Sequence, residues 1–460
     1  MTDEAIAEEV HGEEPPALDS RRFEAIREAV EAGDTAQLNT LIDPLHPADI
    51  ADLLEQISGA ERRDLLRLWS REIDGEILSE LDESIREEVI EALPPEVLTE
   101  AVRELESDDV VDILEDLEEP QQEFILGALE DADRVAVEQA MGYPEYSAGR
   151  LMQRETVTAA EDWTVGQTID FLRSAEWLPD QFYHVILVDP RMRPIGNVTL
   201  GRILSAKRTA KLKDLAEEVF RTIRATEEER EVAYLFNQYH LISMPVVDEA
   251  DRLVGVITID DAMNVLDEEH EEDILRLAGV GEGSITDNWI EVTKQRFPWL
   301  FVNLLTAILA SGVISLFEGT IQKIVALAVL APIVASQGGN AATQGLAVAV
   351  RALATKSLTR SNALRVIWRE IAQGLANGAF FAVIMGIIAY FWFGQPLIGL
   401  VIGMAMVINL FAAALAGLLI PLGLEKMGFD PALASGAFVT TVTDVVGFFS
   451  FLWLAGMVLL

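Results

Sequence analysis

Thr440-Thr441-Val442-Thr443-Asp444-Val445-Val446-Gly447-Phe448-Phe449 sets one carboxylate, Asp444, inside an apolar run that extends from Ala432 to Leu460. An ionised aspartate near a bilayer centre costs about 2.5–3.5 kcal/mol on insertion scales, so such a residue normally faces protein or water and marks an ion or proton path. Two readings of Asp444 stand side by side: a pathway residue that holds something positive, and a structural acid bonded to Thr441 or Thr443 across packed helices. Thr440, Thr441 and Thr443, with Gly436 and Gly447, suit a helix that packs closely and lines a narrow polar lumen, which favours the first.

Outward from this stretch, apolar segments long enough for a bilayer occur at 299–317, 324–350, 374–393, 397–424 and 432–460, predicting five spans. Arg351, Lys356, Arg360, Arg365 and Arg369 follow the second segment, which places that connection in the cytoplasm, the N-terminus inside and the C-terminus outside. The second span is expected to break at Pro332 and again at Gly338-Gly339-Asn340, freeing carbonyls and an amide to line a cavity; a packing kink is the plainer alternative. Glu318, at the outer end of the first span, either draws cations to the mouth or is an ordinary interfacial acid.

Charge divides the chain sharply. Residues 1–295 carry 26 basic and 71 acidic side chains and residues 296–460 carry 8 and 5, together the chain's 34, 76 and net charge of −42. An acidic soluble part therefore precedes a membrane part. The start, MTDEAIAEEV, lacks a basic and apolar leader, so the soluble part is expected to remain cytoplasmic in a multi-pass cell (inner) membrane protein. With no cysteine, disulfides and thiolate metal sites are excluded. The acidic surface repels nucleic acid and attracts cations, or is simply solvated as in salt-adapted proteins.

The soluble part has three sections. After a disordered start at 1–19, residues 20–143 repeat apolar positions at helical spacing, as in ADIADLLEQI and DDVVDILEDL, predicting short helical hairpins stacked as an all-α superhelix. Residues 144–208 and 209–267 form a duplication in which Val188-Asp189, Gly196 and Thr199 precede Val247-Asp248, Gly255 and Thr258 by 59 positions, each copy reading as two strands around a turn followed by a helix. This α/β duplication resembles a pair of CBS domains, regulatory modules that often bind adenine nucleotides or cations; a purely structural dimerisation module is the alternative. A connecting helix from Ile259 to Leu277 opens the 259–296 juxtamembrane segment, with Gly279, Gly281 and Gly283 as a joint before the pore domain at 297–460. Its acids at 267–269 and 271–273 repel one another unless a cation binds there.

Taken together, Pro332-Ile-Val-Ala-Ser-Gln-Gly-Gly-Asn340 with Gln344, Arg351-Ala-Leu-Ala-Thr355, Asp430-Pro-Ala-Leu-Ala-Ser435 and Thr443-Asp444-Val-Val-Gly447 make the chain similar to the MgtE family of magnesium channels over essentially its whole length. The resemblance implies a homodimer in which Asp444 binds hydrated Mg²⁺ at the pore centre, with Gly338, Gly339, Asn340 and Thr440 beside it and Glu318 at the mouth. It also implies a cytosolic sensor in which Mg²⁺ bound to Glu228, Asp261, Glu269, Glu272 and Asp273, with Asp108 and Asp109 from the helical domain, holds the pore shut. ATP at the CBS pair belongs to the same expectation. Ala342 departs from the family pattern, as do Arg230, His240 and Asn264, which stand where relatives carry acids and imply a less sensitive sensor.

No nucleophile with a base beside it and no Gly-rich phosphate loop is visible, so an enzyme is not expected. An anion channel would want basic groups in the spans, where there are none. A membrane sensor without transport, or a broader transporter of Co²⁺, Mn²⁺ or Ni²⁺, remains as an alternative, because residue types alone do not discriminate among divalent ions.

Overall fold

The computed structural model describes residues 18–69, 73–115, 117–175, 177–179, 181–280, 289–359, 361–433 and 436–460. Most of the expected disordered start, and Gly281 and Gly283 of the expected joint, lie outside the described residues. The chain divides into two units, Met1–Asp267 and Glu268–Leu460.

The first unit opens with α1 (Ser20–Ala32), α2 (Thr35–Ile42), α3 (Pro47–Gln56), α4 (Gly59–Trp69), α5 (Gly75–Ser79), α6 (Glu83–Ala92), α7 (Pro95–Glu104), α8 (Ser107–Glu115), α9 (Glu119–Ala128) and α10 (Asp131–Ala140). Aspartates start several of them. Asp19, Asp34 and Asp74 accept from the backbone N–H of Arg22, Gln37 and Ile77, satisfying donors that a helix start leaves open. Pro47 and Pro95 stand in first helical positions, where the missing N–H costs nothing. Most of these helices pack on a next-but-one neighbour, α4 on α6, α5 on α7 and α7 on α9, and they bury Leu53, Leu54, Leu65, Leu66, Ile77, Leu78, Ile113 and Leu114 in one core.

The duplication follows as β1 (Thr158–Ala160), α11 (Val165–Ser174), β2 (His184–Val188), β3 (Pro194–Thr199) and α12 (Leu200–Ser205), then β4 (Ile223–Arg224), α13 (Glu229–Tyr239), β5 (Ser243–Val247), β6 (Leu253–Thr258) and α14 (Ile259–Leu277). Each copy forms a sheet with one parallel and one antiparallel pair, in the orders β1-β2-β3 and β4-β5-β6. The likeness extends to the turns. Asp189 accepts from the N–H of Arg191 and Arg193, and Asp248 from that of Ala250 and Arg252. Met192 and Asp251 then both take positive φ, 61° and 60°. Equivalent positions meet: His184 Nδ1 lies 2.7 Å from Ser243 Oγ.

The second unit holds α15 (Trp289–Ser315), α16 (Glu318–Lys323), α17 (Ala326–Ala354), α18 (Ala363–Phe393), α19 (Pro396–Met427) and α20 (Gly436–Leu459). Four helices, α15, α18, α19 and α20, are long and apolar enough to cross a membrane. The expectation of five spans is met in length by α17, with 29 residues, but Ser336-Gln337 and Asn340 with Thr343-Gln344 dilute its apolar character. The expected break in this helix is corrected: α17 runs without interruption through Pro332, Gly338, Gly339 and Asn340.

Its glycines serve close approach instead. A Cβ on Gly339 would lie 3.3 Å from Thr440 Cγ2, and one on Gly338 would collide with the Asn409 amide. On the facing helix, a Cβ on Gly417 would lie 2.6 Å from the Ala342 carbonyl oxygen. Between helices in lipid, such small residues let backbones touch, and dispersion holds them where no hydrophobic effect does.

Gly417→Ala is expected to lower the thermal midpoint in detergent by the equivalent of roughly 1–3 kcal/mol, because the Ala342 backbone cannot yield as a side chain can. Gly423→Ala, with nothing within 4 Å of the added carbon, is the control. Equal midpoints for the two variants would refute this packing.

Candidate cation-binding sites

Asp444 lies two turns into α20, half-buried, and makes no hydrogen bond or ion pair with a described residue. The threonines that might have tied it down are engaged elsewhere. Thr441 Oγ1 donates to the Ala437 carbonyl at 2.5 Å, Thr443 Oγ1 to Thr440 at 2.8 Å and Thr440 Oγ1 to Gly436 at 2.6 Å. Hydroxyls that back-bond within their own helix leave no donor for the carboxylate, so the structural reading of Asp444 loses its partners.

Of the residues expected beside it, Thr440 shares its helix face one turn away and meets Gly339 of α17. Gly338 is buried against Asn409, and Asn340 is exposed. Glu318 is not brought to the group. It starts α16, where Gln322 Nε2 donates to it at 3.0 Å, and α16 packs near Gly456, at the other end of α20. Twelve residues of helix from Asp444 to Gly456 span about 18 Å.

Sequence reasoning missed Asn409. It is wholly buried mid-way along α19, donates from Nδ2 to the Val334 carbonyl at 2.8 Å, and touches both glycine-bearing neighbours. A lone amide in the apolar 397–424 segment was the available signal, the same kind that singled out Asp444.

In the first unit, Asp108 and Asp109 start α8 and Asp260 and Asp261 start α14, and their charges act on one another. Burial pushes Asp108 well above the usual carboxylate range, with Asp261, Asp109, Glu106 and Glu155 adding to it. Burial, then Asp112 and Asp260, raises Asp109 to about 6. Asp261 is raised to about 7 by burial and Asp260, against a hydrogen bond from Thr258 Oγ1 at 2.8 Å. Glu106 and Glu155 were not anticipated; they join through Gln153 and Ser107, whose side chains donate to them. No three His, Cys, Asp or Glu side chains among the described residues converge on one metal position. Each of these acids is instead raised by several others, and an ion that keeps most of its water takes only one or two carboxylates.

The remaining expected sensor residues are dispersed. Glu228 caps the start of α13 and bridges to Ser147. Glu269, Glu272 and Asp273 lie on α14 beyond Asp267, in the second unit. Glu272 is paired with Arg276, which also pairs with Asp430 in the connection between α19 and α20. Leu277, one residue on, packs on a cluster of Ala342, Leu346, Val350, Ala413 and Val439. His240 closes α13 in the left-handed region at φ 53°.

A cleft of about 460 Å³ opens in the second copy of the duplication, between Tyr143, Arg224, Thr226, Asp248 and Arg252.

Three family models match the chain: a divalent cation transporter model, MgtE, over 331–454, an MgtE intracellular N domain over 45–146 and a CBS domain over 212–268. Among curated proteins it is 32% identical to magnesium transporter MgtE of Enterococcus faecalis, covering 70% of this chain and 71% of that one. It is also 32% identical to the protein of that name from Thermus thermophilus, over 72% and 74%. Among solved structures, the cytosolic domain of the Mg²⁺ channel MgtE in complex with ATP aligns with TM-score 0.49 and 31% identity, over 53% of this chain and 99% of that one. With its helical domain, paired three-stranded sheets and apolar helices matched in this order, the chain belongs to the MgtE family of divalent cation transporters, which are not enzymes.

Proposed function

We propose that the chain is a homodimeric, magnesium-selective channel that admits Mg²⁺ to the cytoplasm and is closed by Mg²⁺ bound to its acidic cytosolic part. The observation that carries the pore is Asp444, a half-buried carboxylate with no hydrogen bond or ion pair to a described residue, on a helix pressed against the glycines of α17. Two copies across a two-fold axis present two carboxylates, enough to hydrogen-bond the water shell of an ion that dehydrates reluctantly.

Five spans with the N-terminal part cytoplasmic remain the reading we favour. The ion pair of Arg276 with Asp430 keeps the end of α14 and the α19–α20 connection on one side. Between them run α15, α17, α18 and α19, and only an even number of crossings returns the chain to the side it left. With α17 as a crossing the number is even, and the C-terminus falls outside. The same contact gives α14 a direct hold on the connection that leads into α20, the helix bearing Asp444.

For the sensor, Asp108, Asp109 and Asp261 are the residues we favour to hold hydrated Mg²⁺, with Asp260, Glu106 and Glu155 adding field. The helical part, read as a superhelix over 20–143, and the CBS pair over 144–208 and 209–267 would be drawn together by it. Glu228, Glu269, Glu272 and Asp273 are the further acids of the sensor in this reading. Arg230, His240 and Asn264 leave fewer acids than in relatives, so closure requires more Mg²⁺. The cleft lined by Arg224 and Arg252, with Asp248 and Glu249 beside them, has the size for an adenine nucleotide such as ATP.

Asp444→Asn is expected to abolish Mg²⁺ uptake with normal membrane insertion, since loss of the charge relieves an insertion cost while removing the ion's partner. Growth of a magnesium-auxotrophic strain on low magnesium measures it, and competition with Co²⁺ and Mn²⁺ measures selectivity. Growth equal to the parent would sink the pore assignment.

Asp109 and Asp261 hold protons in the folded chain up to about 6 and about 7 that an unfolded chain releases near 3.8. The folded state thus binds more protons between these limits, and its stability falls as pH rises through that window. In chelator, protease cleavage of the soluble part of the intact protein should increase from about pH 5 to about pH 8, and millimolar Mg²⁺ should reverse it. Asp109→Asn with Asp261→Asn should flatten both responses. Protection by sodium chloride of equal ionic strength that matches Mg²⁺ would refute the sensor.

A further inference from the structure

Asn409 occupies a point where three helices meet. Its Nδ2 donates to the Val334 carbonyl of α17 at 2.8 Å. A Cβ on Gly447 of α20 would lie 2.7 Å from the same nitrogen, and Gly338 of α17 abuts it from the other side. The side chain is wholly buried and its Oδ1 accepts no hydrogen bond from a described residue. A buried acceptor left unsatisfied is a cost that an apolar side chain of equal volume would avoid, so filling space does not account for an amide here.

The contacts of this amide bracket Asp444. Gly447 is three residues beyond it on α20, on the same helix face. Gly339, next to Gly338, faces Thr440, one turn before it. We propose that Asn409 is a positioning residue for cation passage, its hydrogen bond tying α17 to α19 and its bulk setting the separation of α17 from α20 beside Asp444. The inference rests on Asp444 being the pore carboxylate. It names the side chain that holds the opposing helix at the distance a hydrated ion requires, and it predicts effects on selectivity as well as on rate.

The chain has no cysteine, so the helix separation can be read directly. A Cβ at Gly436 would lie 3.9 Å from Thr343 Oγ1, which makes these two positions neighbours across α17 and α20, and disulfide formation is sensitive to such spacing because it needs Cβ atoms about 3.5–4.5 Å apart. Thr343→Cys with Gly436→Cys in the full-length protein therefore reports the α17–α20 spacing as a rate of disulfide formation. Two variants remove the amide without leaving a void: Asn409→Leu, and Asn409→Ala with Gly447→Ala, whose methyl group takes the vacated space.

In vesicles, both are expected to lower Mg²⁺ flux by about tenfold, the value of one buried hydrogen bond, to alter the ratio of Mg²⁺ to Co²⁺ flux, and to change the disulfide rate. Asp444→Asn should abolish flux and leave the disulfide rate unchanged. Parental flux and ratio in both Asn409 variants, or reduced flux with an unchanged disulfide rate, would overturn the positioning role. Normal flux in Asp444→Asn would instead overturn the pore reading, and the disulfide rate and flux ratio of the Asn409 variants would still decide whether the amide positions the helices.

Discussion

Close approach among α17, α19 and α20, made possible by glycine, is the constraint on which the second unit depends. Gly338, Gly417 and Gly447 each stand where a Cβ would collide with a neighbouring helix. In water a helix pair can be held by burying apolar area, but in lipid the surroundings are as apolar as the contact itself, and packing must do the work through dispersion and hydrogen bonds. This explains why α17, diluted with polar residues, is also among the most buried of the long helices. The Ser, Gln, Asn and Gly content of α17 suits protein contact on one face and a polar lumen on another, and the α17 core residues Leu327, Leu330, Val334 and Ala342 are closed off by α19 and α20.

The acidic surplus of the first unit has at least two physical roles. Some aspartates cap helix starts, where they satisfy open backbone donors and meet the positive end of the helix dipole. Others answer buried cations: Arg62, 3% exposed, is held by Glu88 and the Leu54 carbonyl, and Arg86, 4% exposed, by Asp112 and the Leu81 carbonyl. The acids at the starts of α8 and α14 go beyond these roles: Asp261 accepts from Thr258, yet burial and the neighbouring acids outweigh that bond. Buried, Asp108, Asp109 and Asp261 keep protons at pH values where ordinary carboxylates are ionised, and this is the condition under which a divalent cation gains most by replacing a proton.

The helix α14 lies on both sides of the division between the two units. At its start it contributes Asp260 and Asp261 to the acidic junction; at its end Arg276 and Leu277 engage Asp430 and the cores of α17, α19 and α20. One helix thus carries groups of both kinds, and the sign of the charge changes along it, from acids that oppose acids to a guanidinium paired with two carboxylates.

Much of the organisation was legible in the chain. The 59-residue offset of the duplication reappears as matched sheets, matched aspartate turns and matched positive φ values, because hairpin chemistry is local. The apolar segments and the isolated Asp444 were likewise readable, since hydropathy and the cost of an intramembrane charge act residue by residue. What sequence could not settle was whether Pro332 and Gly338-Gly339-Asn340 break a helix or pack it. Local propensity argues for a break; the answer depends on a partner surface distant in sequence, and only the approach of Asn409, Gly417 and Thr440 decides for continuity. The acidic junction was partly hidden for the same reason. Asp108 and Asp261 are far apart along the chain, and the repulsion that perturbs them exists only after folding brings the two helix starts together.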